Sequence, residues 1–192
     1  MPTLNVLPVA GPVVSLIRRE LAAYDLVPAT ERDIAAARTF AAELIGPDIV
    51  SAEALQRVHE RSGAGLFLAR EEGALTGVLA FVLLSKAGLD AVWAGAFDAV
   101  DPSPSHVSPA GENPAALYGW GVAAITKPSA ARLIEGARAM WASAVMGLPY
   151  FARPTTPKGE RLMRERLNFE DCPGSTSGLV WLPPDRAQRV AA

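Results

Sequence analysis

Apolar residues recur at helical spacing from Gly11 to Tyr24, where Val14, Ile17, Leu21 and Tyr24 are interleaved with Arg18, Arg19 and Glu20. An amphipathic helix is expected there, with Pro12 suited to its first turn. Leu26 to Thr30 reads as a short strand. Thr30 and Asp33 then form a capping-box variant that opens an Ala-rich helix to Ile45, and a second helix fits Ser51 to Ser62, ended by Gly63. The pattern next turns strand-like: Gly65 to Arg70, a hairpin turn at Glu71-Glu-Gly-Ala74, and a return strand from Leu75 to Leu84. That return strand is almost wholly apolar, which predicts a central strand covered on both faces. Leu89 to Phe97 is expected as another strand, and Tyr118 to Thr126 as a further one in which Gly119 and Gly121 permit a bulge or a close backbone approach. Lys127 opens the longest helix, running to Met146 and closed by Gly147, with an apolar stripe of Leu133, Ala137, Met140, Trp141 and Ala144 that belongs to the core. A short apolar strand after Leu148, a polar turn, a short helix stopping at Asn168-Phe169 and a last strand from Gly178 to Leu182 complete the order.

The segment from Asp98 to Pro114 is dense in proline and serine and is expected as a long loop, either functional or mobile. With 192 residues, the chain fits one domain. Its boundaries are read as residues 25–183, preceded by an N-terminal helical extension (1–24) and followed by a frayed tail (184–192). The extension docks either on its own domain or on a second copy of the chain, as in a homodimer.

Charge and rare residues narrow the chemistry. A net charge of -2 argues against nucleic acid as a partner, because a basic face should supply that affinity. The single cysteine, Cys172, excludes an intrachain disulfide and a cysteine-rich zinc site, and its Asp-Cys-Pro-Gly turn does not mark a nucleophile. His59 and His106 lack metal-ligand spacing, and His59 falls on a polar helix where a surface position is expected. No run approaches the roughly 20 apolar residues of a membrane span, and Arg18 to Glu20 follow the apolar start in the wrong order for a signal peptide. A soluble, cytoplasmic protein is expected.

Two segments carry a family resemblance. Leu26-Val-Pro-Ala-Thr-Glu-Arg-Asp33 is similar to the "I-R-P-A-T-E-A-D" opening, and Arg164-Glu-Arg-Leu-Asn-Phe169 resembles the "Y-E-K-L-G-F" close, of the GNAT superfamily of N-acyltransferases. The order of elements from Leu26 to Leu182 is similar as well. The resemblance implies an α/β (α+β) fold: a GNAT-like mixed, mostly antiparallel central sheet flanked by helices. It also implies an acyl-CoA site in which the pantetheine arm pairs with the edge of a splayed central strand. The pyrophosphate would rest on the amides opening the next helix, where unpaired N–H groups and the helix dipole favour anions. That position here is Ile125, Thr126, Lys127, Ser129, Ala130, Ala131 and Arg132. Set against the family's Q/R-x-x-G-x-G/A loop and aligned on Ala131, Thr126 stands for the Gln or Arg and Ser129 for the first glycine. Lys127 and Arg132 can replace lost amide contacts with charge; alternatively, Lys127-Pro-Ser is only a good helix start.

The catalytic positions depart further from the family. Arg164 replaces the tyrosine that often protonates the leaving thiolate; it cannot release its proton but can stabilise developing negative charge. Tyr118 occupies the strand before the phosphate loop, and Glu112, Asp101 and Asp98 are the nearest carboxylates that could serve as a base. Two functions follow. One is an acyl-CoA-dependent N-acyltransferase, using acetyl-CoA or another acyl-CoA on a small-molecule amine or a protein amino group. The other is a catalytically degenerate GNAT-like binding or regulatory protein.

Overall fold

In a computed structural model describing residues 13–175 and 178–184, the elements follow as α1 (Val13–Ala22), β1 (Leu26–Pro28), α2 (Glu31–Ile45), α3 (Ala52–Ser62), β2 (Leu66–Glu71), β3 (Ala74–Leu84), α4 (Lys86–Trp93), β4 (Ala116–Ala124), α5 (Lys127–Ala144), β5 (Tyr150–Ala152), α6 (Pro157–Arg161), β6 (Glu170–Asp171) and β7 (Val180–Leu182). The seven described strands form one sheet in the order β1-β2-β3-β4-β5-β7-β6. Every pairing is antiparallel except β4 with β5. The mixed, mostly antiparallel sheet flanked by helices is therefore the fold that the sequence predicted.

Local chemistry sets the elements. The β2–β3 hairpin turns on Glu72 and Gly73, both in the left-handed region (φ 50° and 83°), as a twisted two-residue turn requires. Asp33 accepts from the Thr30 N–H at 2.8 Å and from its hydroxyl at 2.7 Å, closing the start of α2; these bonds hold the Asp33 carboxyl below its ordinary range. β3 is buried along most of its length, with helices on both faces. On one face α1 and α5 cover Phe67, Phe81 and Leu117; on the other α2, α3 and α4 cover Leu66, Leu68, Val82 and Leu84. α1 lies against α5, with Ile17 and Leu21 fully buried. Gly136 of α5 leaves room for β1, since a Cβ there would come within 2.8 Å of Leu26 Cδ1. The apolar stripe of α1 is thus spent on its own chain. The rest of the expected extension (1–12) and of the tail (185–192) lies outside the described residues.

Two expectations need correction. The stretch expected as a strand from Leu89 to Phe97 is instead α4 and its C-terminal turn. Ser85 caps the helix by accepting from the Gly88 N–H at 3.1 Å, and Leu89 and Val92 turn inward at helical spacing. His59 is not a free surface residue. Its Nδ1 accepts from the Leu66 N–H at 3.1 Å while Nε2 donates to the Ala29 carbonyl at 2.9 Å, so the ring ties α3 to the sheet; burial holds its pKa below the ordinary value. The segment from Asp98 to Pro114 is irregular, as expected, but firmly anchored. It contains a 3-10 turn at Pro104–His106, a bridge from Val107 to Leu84 and a bond from the Trp120 indole to the Ala99 carbonyl at 2.6 Å. Among the described residues no helix is long and apolar enough to cross a membrane.

Candidate active site

β4 and β5 run side by side for only three pairs, Leu117 with Tyr150, Tyr118 with Phe151 and Gly119 with Ala152. β5 then ends while β4 continues to Ala124, still bonded to β3 on its other side. A register shift on β4 leaves Trp120 as the extra residue between Gly119 and Gly121. The strand therefore bends where it parts from its neighbour, and from Trp120 onward its β5-facing backbone edge lies beyond the last pair.

A cavity lies on each face of β4 at this parting. On the α1–α5 side, a cavity of about 360 Å³ is walled by Val122, Trp141, Tyr150, Met163, Leu167 and Phe169, with Glu135, Arg138 and Arg166 also in its lining. That volume is within the range of small-ligand sites. On the α2–α3 side, a cavity of about 200 Å³ is walled by Ile45, Val50, Gly119, Trp120 and Gly121, with Arg38, Asp48, Tyr118 and Arg153 also in its lining. Tyr118 and Arg153 also face a third cavity, of about 320 Å³, beside Cys172.

Donors around the first cavity are unspent. The buried Trp141 indole N–H has no partner among the described residues. Tyr150 lies across Gly119: a Cβ at that glycine would be 3.0 Å from the tyrosine hydroxyl and 3.1 Å from Cε2. The ring is held edge-on against Phe169 at 5.2 Å. Desolvation pushes its phenol up to about 12, so it remains a proton donor at any physiological pH. On the opposite face Tyr118 is buried against Phe97, at 5.0 Å between rings, and burial raises its pKa while Arg153 partly offsets the rise. Cys172 is buried and its thiol is pushed up to about 11, which leaves no reactive thiolate.

The start of α5 is arranged differently. Thr126 caps it, its hydroxyl accepting from the Ser129 N–H at 3.1 Å, while the Ala130 N–H already bonds to the Thr126 carbonyl at 3.0 Å. Pro128 has no N–H to offer. Ser129 is fully buried, and its hydroxyl pairs with Thr76 at 2.7 Å. Glu71, at the end of β2, accepts from the Ser129 hydroxyl at 2.9 Å, the Thr126 hydroxyl at 3.2 Å and Arg132 Nη2 at 2.9 Å. The side chains expected to meet a phosphate are thus assembled in one place but hold the protein's own carboxylate. Ile125 and Lys127 are exposed beside them, Ala131 is exposed on the first turn of α5, and Ala130 is half-buried.

The remaining sequence-predicted residues lie apart from the parting of β4 and β5. Arg164 faces away from the larger cavity and is tied to Glu160 at 3.2 Å and Asp171 at 2.7 Å. The cause is a π turn over Leu162–Arg166, closed by the Leu167 N–H on the Leu162 carbonyl, which brings Leu162, Met163 and Arg166 to the cavity instead. Glu112 is exposed, in none of the three cavities described, with its N–H on the Pro109 carbonyl. Asp98 accepts from the Val100 and Asp101 amides, and Asp101 pairs with Arg57. Of the predicted catalytic residues, only Tyr118 lines a cavity at the parting. Sequence reasoning passed over Tyr150, Trp141, Asp48, Arg153 and Glu71. The one available signal was Tyr150, an aromatic hydroxyl inside an otherwise apolar strand.

A mixed, mostly antiparallel sheet flanked by helices, whose central strand parts from its parallel neighbour, is the arrangement that the family resemblance implied, and this chain has a GNAT-like fold. Among solved structures it is similar to the "GphF GNAT-like decarboxylase in complex with isobutyryl-CoA", with a TM-score of 0.51 and 14% identity over 83% of this chain and 98% of that one. It is also similar to a structure described as histone acetyltransferase HPA2 and related acetyltransferase from Corynebacterium glutamicum, with a TM-score of 0.47 and 16% identity over 83% and 95% of the two chains. By sequence, no family model and no curated protein matches it.

Proposed function

We propose that the protein is an acyl-CoA-dependent N-acyltransferase in which the donor is held through its thioester end. The observation that carries this reading is the parting of β4 from β5, with an apolar cavity on one face and a second cavity on the other. An extended, amide-bearing arm such as pantetheine suits an open strand edge, because backbone donors and acceptors there can bond to its amides as a further strand would. The larger cavity and its unpartnered Trp141 N–H supply apolar walls and a donor beside that edge. A protein of similar fold holds isobutyryl-CoA, which supports an acyl-CoA as the ligand.

The smaller cavity takes the amine. Ile45, Val50 and Trp120 offer an apolar body, and Asp48 is the carboxylate in its lining, placed to hold an ammonium group or to accept its proton. This reading moves the base from Glu112 to Asp48. Tyr118, kept protonated by burial, and Arg153 line the same space and orient polar groups of the acceptor. Acyl transfer to an amine needs chiefly positioning of the two reactants, which these two cavities provide.

A second reading, a GNAT-like binding protein without catalysis, is favoured by the Glu71 contacts at the start of α5. One experiment separates the two. Melting is followed with and without millimolar acetyl-CoA, and acetyl transfer to a panel of small apolar amines is assayed in parallel. Stabilisation together with transfer is the expected result, through linkage of ligand binding to folding. Stabilisation without transfer supports the binding protein, and no stabilisation contradicts both.

A further inference from the structure

We infer that the acceptor is an amino acid, an amine carrying its own carboxylate, which Arg153 and Tyr118 hold between two cavities while an apolar side chain extends toward Cys172. The inference rests on the acyltransferase reading above and narrows its acceptor from amines in general to one chemical class.

Strand alternation brings the two recognising groups together. Tyr118 on β4 is paired with Phe151 on β5, and both side chains stand on the face covered by α3 and α4. Arg153 follows Phe151 by two residues, just past the end of β5, and comes out on the same face. Both Tyr118 and Arg153 line the smaller cavity and also the third one, so the pair stands between the two spaces. Tyr118 is 4% exposed, and its burial keeps the phenol protonated while the nearby Arg153 charge offsets part of that rise. A guanidinium and a phenol O–H side by side are a donor set that suits a carboxylate, which offers two acceptor oxygens and no proton.

The balance of charge selects the class of acceptor. The charged groups in the lining of the smaller cavity are Arg38, Asp48 and Arg153, and in the third cavity Arg153 stands alone. Two guanidinium groups against one carboxylate leave the space net positive. A simple amine, which is an ammonium ion in water, is disfavoured by that balance. An amine that carries a carboxylate is not, because its anion meets Arg153 while its nitrogen lies beside Asp48. Arg38 is already tied to the Pro47 carbonyl, 3.1 Å from its Nη2, so Arg153, common to both cavities, is the assigned partner. With the carboxylate fixed between the cavities and the nitrogen in the smaller one, the remaining substituent is directed into the third. Val92, Trp93, Phe97 and Leu179 wall that cavity of about 320 Å³, and the Cys172 thiol beside them stays neutral. An apolar or aromatic side chain fits such walls.

The test compares phenylalanine and leucine with phenethylamine and isoamylamine, which keep the same side chains and lack the carboxylate. Acetyl transfer from acetyl-CoA is measured for all four, with calorimetric binding of each alongside. In the wild type, kcat/KM for at least one amino acid exceeds that of its matching amine by about thirtyfold or more. In R153Q that preference falls at least about tenfold, and R153K, which keeps the charge without the planar fork, retains part of it. Y118F, which keeps the ring against Phe97, weakens the preference by about three- to tenfold. Melting curves of the three variants separate lost recognition from lost folding; Arg153 is exposed, so R153Q and R153K melt with the wild type. If the amines are bound and acetylated as well as the amino acids, or if R153Q leaves the preference intact, the inference is overturned and the acyltransferase reading stands. If acetyl-CoA binds but neither amino acid is bound or acetylated, the inference is overturned as well. If the wild type neither binds acetyl-CoA nor acetylates any of the four, the acyltransferase reading falls and the inference with it.

Discussion

At the start of α5, Thr126, Ser129 and Arg132 converge on Glu71, so two hydroxyls and Arg132 Nη2 that would suit an anionic ligand are already bonded within the chain, while the buried Arg132 Nε has no partner among the described residues. Where β4 leaves β5, Trp141 stands beside a cavity with its indole N–H unpartnered among the described residues, and Tyr150 lines the same cavity. Both regions hang on the same strand, one beyond its last residue and the other near its middle. Buried polar groups are nearly always paired, and of the buried side-chain atoms left without a partner among the described residues only the Trp141 indole N–H belongs to a residue lining this cavity. Under the proposed acyl-CoA reading, the contrast puts recognition at the arm and the reacting group, while the Glu71 contacts join the start of α5 to β2.

The largest effect is expected from closing the parting. In V122W the indole fills the larger cavity, and binding of acetyl-pantetheine, read by calorimetry, falls at least about thirtyfold, a loss of about 2 kcal/mol. Undiminished binding would move the arm to another surface. A smaller effect of opposite sign comes from the α5 end. E71A frees Ser129, Thr126 and Arg132, so acetyl-CoA binds about three- to tenfold more tightly while acetyl-pantetheine, which has no diphosphate, is unaffected. A gain shared equally by both ligands would break the comparison. The same variant loses about 1 kcal/mol of stability in chemical denaturation, since the pair is partly exposed and only its hydrogen bonds are well placed. No loss would mean that Glu71 does not join β2 to α5.

Much of the sheet was legible in the sequence because its signals are local. The unbroken apolar run of β3, the Glu-Gly turn before it and the Thr30–Asp33 cap each need only a few consecutive residues to be read. α4 was misread because Leu89 to Trp93 is short and apolar, and such a run satisfies strand and helix patterns alike until the Ser85 cap is weighed. The two-residue β6 has no pattern of its own. The site was less legible for a different reason. Glu71 meets Thr126, Ser129 and Arg132 from 55 to 61 residues away, and in sequence it is only a turn-forming glutamate. The π turn displaces Arg164 outward by changing the helical phase, which a linear motif match cannot register. Tyr150 acquires its setting from Gly119 on another strand and Phe169 beyond the next helix.

The most direct test of recognition through the thioester end is the affinity of the wild-type protein for acetyl-CoA set against acetyl-pantetheine, measured by calorimetry at one ionic strength. The account predicts dissociation constants within about threefold of each other, a difference below about 1 kcal/mol. A preference for acetyl-CoA beyond about a hundredfold would contradict it, because most of the binding would then come from the nucleotide diphosphate.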